Sequence, residues 1–311
     1  MKLSYVQFET LFFVRQTKGH ATFETICTSL PQFAEPVLLS ETNNLLSHRC
    51  LMLQDKKLKI TETGRATLEQ YRVKCAVILA AGFGSRMLPA TENSPRPMVT
   101  VNGTSFIETQ IDALLRAGIT DITVVRGHKA EKFDALRAKY PTVVYRENTE
   151  YTTRNNIVSG YIAREKLNRA YLLEGDVFIS NPLVIRPFEY RSHYCGVAVE
   201  ATDDWHFQLL NGQITGLKQG SDQPSNQYIG ISFWTSGYAR MLALDLEDAI
   251  KDSLNDQCLI EDIHFELFRQ RYFLFMRSLN GTDVVEVDTY QELQALDSSY
   301  KQCLVATNYS T

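Results

Sequence analysis

Residues Leu79-Ala80-Ala81-Gly82-Phe83-Gly84-Ser85-Arg86 follow directly on an apolar run that begins at Cys75. Small side chains at such a place let backbone N–H groups approach an anion, and glycines permit the turn. Arg86 adds a charged fork for phosphate oxygens. The segment is not a P-loop, because no Gly-Lys-Ser/Thr follows. It also fails the dinucleotide fingerprint, since Met87 stands where the last glycine should be. Leu79, Ala80, Ala81, Gly82, Gly84 and Arg86 are therefore the candidate nucleotide-phosphate binders, with a purely structural turn as the competing reading. Two acids stand at strand ends. Asp176, in Glu174-Gly175-Asp176, follows the apolar Tyr171-Leu172-Leu173 at the carboxyl end of a strand, where α/β proteins bind ligands. Asp288 ends the run Val284-Val285-Glu286-Val287 and would equally suit an N-cap for a helix over 290–296.

The elements that must position these residues begin at Lys74. An apolar strand over 75–79 is followed by Ile107, Ile111, Leu114 and Leu115 at helical spacing, closed by Gly118. Strands at 122–125, 143–145 and 170–173 alternate with helices over 129–140 and 157–167, and later strands are expected at 196–201, 229–234 and 284–287. This rhythm predicts an α/β domain over 73–311, Rossmann-like, with a mixed but mostly parallel sheet. Residues 1–72 read differently. Phe8, Leu11, Phe12 and Arg15 have helical spacing, and further helices are expected over 22–29 and from Pro36. Leu51–Leu53 and Leu58–Ile60 flank Asp55-Lys56-Lys57 as a small hairpin, and a closing helix is expected over 65–71. This order resembles a winged helix-turn-helix domain, with Leu58 to Arg65 similar to the end of the wing in the MarR-like group. The recognition helix would cover 36–48, which contains neither Lys nor Arg. Nine Lys/Arg face seven Asp/Glu in this domain, so charge gives DNA only weak support as its partner. A packing or dimerisation module is the competing reading, and a homodimer stays open.

Composition sets the outer limits. The 311 residues are 44% hydrophobic and 22% charged, with net charge −4, which suits a soluble two-domain protein and excludes a disordered chain. No apolar run approaches the length of a membrane span. The amino terminus lacks the pattern of an export signal. Cysteines at 27, 50, 75, 195, 258 and 303 stand singly, as reduced thiols of a cytoplasmic protein.

Downstream of the loop come Pro89, then Ser94-Pro95-Arg96-Pro97-Met98-Val99, Val101-Asn102-Gly103 and Phe106-Ile107-Glu108. From Ala76 to Glu108 this order resembles the signature of small nucleotidyltransferases that activate phosphorylated metabolites with an NTP. Asn155-Asn156-Ile157-Val158-Ser159-Gly160-Tyr161, Ile231-Ser232-Phe233-Trp234 and Glu286-Val287-Asp288-Thr289 resemble the bacterial choline-phosphate cytidylyltransferases of the LicC type. The likeness covers roughly residues 75–297 and leaves out the amino-terminal domain. It implies a CTP-dependent transfer of CMP to phosphocholine, giving CDP-choline and pyrophosphate. It also implies Mg²⁺ held by Asp176 and Asp288. Both reactants are anionic, so their repulsion must be neutralised before in-line attack. Arg86 and Arg96 would contribute to this as catalytic cations. Arg96 departs from the family, which usually has lysine between these prolines, and the exchange is not neutral.

A choline headgroup is held by aromatic faces and carboxylates. Asn156, Tyr161, Trp205 and Glu261 are the candidate acceptor-binding residues, with Trp234, Glu174 and Asp262 as further candidates. Asn155 and Asn156 would serve as well for helix capping. 2-Aminoethylphosphonate or a sugar 1-phosphate is the alternative acceptor. A regulator that senses a nucleotide and binds DNA is the alternative of another class. His264, flanked by Glu261, Asp262 and Glu266, reads as part of a surface helix.

Overall fold

The first helix, α1 (Tyr5–Gln16), begins where Gln7 N–H donates to the Ser4 hydroxyl and Ser4 N–H donates to the Gln7 side chain. This reciprocal cap closes two otherwise open donors. Thr22 caps α2 (Phe23–Ser29), and α3 (Glu35–Ser47) opens with Pro36 in its first turn. Strands β1 (Leu51–Gln54) and β2 (Lys57–Ile60) pair antiparallel. Asp55 and Lys56 both take positive φ, the twist-matched geometry of a two-residue hairpin turn. Helix α4 (Glu62–Glu69) starts three residues before its expected position, because the Thr61 hydroxyl accepts the N–H of Gly64 at 3.0 Å. Phe8, Leu11, Ile26, Leu38, Leu45, Leu58 and Leu68 share one core with Phe188. Met1–Val73 together with Phe188–Tyr190 form one compact unit, and Lys74–Pro187 with the residues from Arg191 onward form the second.

The second unit opens with β3 (Cys75–Ala80), buried along its whole length. The short pair β4 (Thr100–Val101) and β5 (Thr104–Ser105) leads into α5 (Phe106–Arg116), where Ser105 and Glu108 bond reciprocally. Then come β6 (Asp121–Arg126), β7 (Val144–Glu147), α6 (Ile157–Ala163), β8 (Ala170–Glu174) and β9 (Val177–Ile179). The helix expected over 129–140 is a 3₁₀ segment, Ala130–Leu136. Arg126 takes the carbonyl of Ala130 at 2.9 Å, diverting an acceptor the α-helix would need. The chain continues through β10 (His193–Val199), β11 (Thr202–Leu210), β12 (Gln213–Ser221), β13 (Ser225–Trp234), α7 (Ser236–Ala249) and α8 (Ile260–Asp262). A π-helical turn (Ile263–Leu267), β14 (Phe275–Leu279), β15 (Val284–Glu286) and α9 (Tyr290–Leu296) complete it. This computed structural model describes residues 1–301. Cys27, Cys50, Cys75, Cys195 and Cys258 are free thiols, and Cys303 lies outside the described residues. No described helix is long and apolar enough to cross a membrane.

Nine strands form one sheet in the order β10-β14-β12-β11-β13-β8-β3-β6-β7. Its β8-β3-β6-β7 part is parallel, as is β10–β14. The remaining pairings are antiparallel. A mostly parallel sheet is therefore not what forms. From β10 to β13 no helix intervenes, so successive strands turn back on one another. Asn211 and Gly212, both at positive φ, make the β11–β12 turn. That Asn-Gly pair is a hairpin signal between strands that are not among those expected from the sequence. Val77, Leu79 and Leu172 pack with Ile157 of α6, Leu242 and Leu246 of α7, and Ile260. Trp234 lies fully buried in this same core.

One buried side chain ties α5 to the edge of the sheet. Gln110, on the inner face of α5, donates to the carbonyls of Glu174 (2.8 Å) and Val177 (2.7 Å). It thereby pins both ends of the turn between β8 and β9. Gln110→Leu keeps the volume and leaves both carbonyls unpaired out of water. The expected loss is about 2 kcal/mol of unfolding free energy in urea, against about 1 kcal/mol for the neighbouring Ile111→Val.

Candidate active site

Where β3 ends, the chain leaves the sheet and its backbone turns through Gly82 to Arg86. Leu79, Ala81, Gly82, Phe83, Gly84, Ser85 and Arg86 line a cleft of about 640 Å³. Ala80 is buried beneath it and does not contribute to the lining. Gly84 has φ +65, and a Cβ there would stand 2.7 Å from the Cβ of Arg96. Glycine therefore serves both the turn and the close approach of the basic residue.

Arg96 sits on a 3₁₀ turn (Arg96–Met98) begun by Pro95. Its guanidinium donates to Asp288 Oδ1 at 2.7 Å and also to Asp176 Oδ2. Arg86 donates to the same Asp288 oxygen at 2.7 Å. The two acids expected to meet are thus drawn together by one planar cation. Asp176 reaches it from the β8–β9 turn. There Gly175 N–H donates to Leu79 O at 2.9 Å and Val287 N–H donates to Asp176 O at 3.1 Å.

More acids crowd in than the sequence alone suggested. Glu174, Asp176 and Glu286 place carboxylate oxygens within 4.8 Å of one another, and so do Asp204, Glu286 and Asp288. Glu286 belongs to both groups, and its Oε2 accepts from Gly230 N–H at 2.9 Å. Burial, then the charges of neighbouring acids, hold Glu174 and Glu286 well above the usual carboxylate range. Burial also raises Asp176, against the pull of Arg96. Arg96 is held above its ordinary value by Asp176, Asp288, Glu174 and Glu286, although burial works the other way. One oxygen of Asp176, Oδ1, is buried without a hydrogen-bond partner. Among the described residues, two guanidiniums pair with this crowd of hard oxygen donors. An all-carboxylate set with an open buried oxygen fits a hard divalent cation such as Mg²⁺. Glu286 had a signal in the sequence. It stands two residues before Asp288, at the end of the expected strand over 284–287, close enough in sequence to share its site.

The same cleft is lined by Asn156, Trp205 and Glu261. Asn156 makes no side-chain cap on α6. Instead it donates to Glu174 Oε1 at 3.2 Å and accepts from Ile260 N–H at 2.8 Å. Asn155 Nδ2 donates to the distant Gln257 carbonyl at 3.2 Å, and its Oδ1 accepts from Asn156 N–H at 2.8 Å. Glu261 is buried, its Oε1 accepting from Tyr228 (3.1 Å) and Tyr194 (3.4 Å), and burial pushes it up to about 7. Trp205, on β11, is 38% exposed at the cleft. Tyr161 does not reach it. Asn156 and Ser159 occupy the cleft side of α6, and Tyr161 turns away to lie under the Arg164 guanidinium, 3.9 Å from its ring centre. Trp234 is a core residue, its Nε1–H donating to Ser232 Oγ at 2.9 Å. His264 is not on a surface helix but fully buried, bonded to the Tyr194 hydroxyl at 2.8 Å. Tyr228, Ser159 and Phe265 also line the cleft. Ser159 lies in the 155–161 segment already singled out, whereas Tyr228 and Phe265 belong to no motif in the sequence.

The profile of the MobA-like NTP transferase domain matches residues 76–252. The chain belongs to this family. It is a nucleotidyltransferase of the cytidylyltransferase group. The transferase is 37% identical over 230 residues to the 2-aminoethylphosphonate cytidylyltransferase of Lancefieldella rimae, covering 72% of this chain and 92% of the relative. It is 28% identical over 232 residues to the choline-phosphate cytidylyltransferase of Streptococcus pneumoniae, covering 73% and 98%. The solved CTP:phosphocholine cytidylyltransferase of Streptococcus pneumoniae superposes with a TM-score of 0.68 at 29% identity, again over 73% of this chain and 98% of that one.

Replacing Arg96 with Met strips the bridge between two desolvated carboxylates. The variant is expected to lose about 3 kcal/mol of unfolding stability without added divalent metal. Added Mg²⁺ should raise its melting temperature more than it raises that of the parent, since a cation there replaces the lost charge. Thermal melts of both proteins with and without Mg²⁺ check this.

Proposed function

We propose that this transferase moves CMP from CTP onto 2-aminoethylphosphonate. A phosphonate oxygen attacks the α-phosphorus of CTP, the bond to the β-phosphate breaks, and pyrophosphate leaves. The backbone at Gly82 and Gly84 and the Arg86 guanidinium receive the triphosphate. Arg96 neutralises charge on the transferred group. Asp176, Asp288 and Glu286 would hold Mg²⁺, which when bound offsets the repulsion between the two anions. Asn156, poised between Glu174 and the Ile260 N–H, orients the acceptor side.

The carboxylates around the acceptor end carry the choice of substrate. Glu174, Glu261, Asp262 and Glu266 all line the cleft. A primary ammonium offers three N–H donors to such oxygens, and a quaternary ammonium offers none. The higher identity to the aminoethylphosphonate enzyme supports the same reading. Phosphocholine, placed first from the sequence, keeps the support of the ring faces of Trp205, Tyr228 and Phe265.

The amino-terminal order of three helices, hairpin and closing helix supports assigning that unit as a winged helix-turn-helix. Its supposed recognition helix spends Glu41 internally, accepting from Gln7 Nε2 at 2.6 Å. With no Lys or Arg between 36 and 48, we read this unit as a packing module rather than a DNA reader.

The test is a panel of acceptors with CTP, followed by pyrophosphate release. 2-Aminoethylphosphonate is expected to give a kcat/KM at least about tenfold above phosphocholine, the value of roughly one charge-assisted hydrogen bond. A preference for phosphocholine or for a sugar 1-phosphate would overturn the reading.

A further inference from the structure

Behind the acceptor end of the cleft lies a buried polar chain that the transfer chemistry does not itself use. His264 sits in the π-helical turn after α8, three residues from Glu261 and on the same side of the helix. Its ring is enclosed by Tyr194, Trp234, Phe265 and Tyr272. Its Nε2 lies 2.8 Å from the Tyr194 hydroxyl, and its Nδ1 has no partner. Tyr194 in turn reaches Glu261 Oε1 at 3.4 Å, the same oxygen that Tyr228 holds at 3.1 Å. An imidazole among aromatic rings with one nitrogen unpaired is a poor choice for stability, because a phenyl ring would fill the space without the desolvation cost. π-Helical turns are concentrated at functional sites.

We propose that His264 is a positioning residue for acceptor binding, acting through the Tyr194 hydroxyl to aim Glu261 into the cleft. This role rests on the proposed function, in which Glu261 receives the cationic end of the acceptor. With the proton on Nε2, His264 donates to the Tyr194 oxygen and leaves only a lone pair unpaired at Nδ1, a milder fault than a buried N–H. The Tyr194 proton is then turned to Glu261, and two phenols converge on one carboxylate oxygen. The carboxylate, which lines the cleft and also bonds its own backbone N–H, is thereby presented to the ligand. Burial holds the imidazole neutral, pushed down to about 3, so the chain keeps this arrangement across the working pH range. The charged neighbours of Glu261 on its own element and on β8 are Asp262 and Glu174, so among the described residues the two phenols are the side-chain donors that steady it.

The experiment is a double-mutant cycle on the full chain, read as KM for the acceptor and KM for CTP, with melting temperatures alongside. Tyr194→Phe is expected to raise acceptor KM about tenfold and leave the KM for CTP within about twofold. His264→Phe should raise acceptor KM severalfold while its melting temperature rises by a few degrees, about what removing an unpaired buried polar group releases. His264→Gln, which keeps an N–H donor toward Tyr194, should restore most of the acceptor KM. The Tyr194→Phe/His264→Phe double variant should match Tyr194→Phe alone, because the histidine acts only through that hydroxyl. Additive effects, both KM values moving together, or a lower melting temperature for His264→Phe with unchanged acceptor KM would overturn the proposal. Glu261→Gln separates the two layers. If it leaves acceptor KM unchanged, the role of Glu261 falls and the relay with it. If it shifts acceptor KM but His264→Phe does not, only the relay falls.

Discussion

Carboxylates crowded together out of water repel one another and lose solvation, and the second unit is organised around that conflict. Glu174, Asp176, Asp204, Glu286 and Asp288 come from separate stretches of chain yet meet within a few ångströms. Nothing in a stability argument favours such a gathering. It is held by what surrounds it: the Gln110 amide pinning the β8–β9 turn, the Gly230 N–H on Glu286, and the two guanidiniums on Asp288. A triphosphate, being anionic itself, could approach this wall only beside further positive charge. The crowding is therefore an arrangement completed by its ligands, and the glycine loop after β3 brings the backbone donors to the same place.

The sheet makes the gathering possible. In a parallel β8-β3-β6-β7 core every strand delivers its carboxyl end to one edge, so the loop after β3 and the turn after β8 are neighbours by register, with Leu79 beside Glu174. Antiparallel β13 then runs beside β8 with Ile231 against Leu173, which puts Gly230 next to Glu174. A Cβ at Gly230 would lie 2.7 Å from the Cβ of Glu174. The acid thus occupies space that a side chain on the next strand would have closed. β15 pairs with β9 and carries Glu286 and, just beyond it, Asp288 back over the same edge.

Local signals were legible and remote ones were not. The hairpin at Asp55-Lys56, the amphipathic α5 and the glycine loop are written in residues a few positions apart, whereas the cap of α9 is Thr289, not Asp288. In the antiparallel half of the sheet β10 and β13 lie near the strands expected over 196–201 and 229–234, but β11 and β12 are not among the expected strands, because polar residues interrupt their apolar ones and leave no apolar run. Only Asn211-Gly212 marked their turn. Tyr161 is aromatic and close in sequence to Asn156, which makes it a candidate for the site. Helical geometry decides otherwise, since five residues along a helix is a rotation of roughly 140° away from the first. His264 was misplaced for a related reason. Its acidic neighbours suggested solvent, but Glu261 is itself buried, and a polar residue bonded to another polar residue can pass inward without exposing either.

Arg96 shows how a single side chain can reconcile these demands. The resemblance to the small nucleotidyltransferases implies lysine between these prolines, where this chain has arginine. An ammonium is a compact charge that can sit close to one carboxylate oxygen, or between two if they are very near. A guanidinium is a plane with nitrogens on separate edges. Here one nitrogen serves Asp288 and another serves Asp176. The spacing of those two acids is thus matched to the breadth of the fork. That breadth leaves Asp176 Oδ1 uncovered, whereas an ammonium drawn to the midpoint would compete for it. The exchange to arginine therefore lets the same two aspartates be bridged by a permanent charge and still leaves one buried Asp176 oxygen without a partner, which is a different balance from that available to lysine.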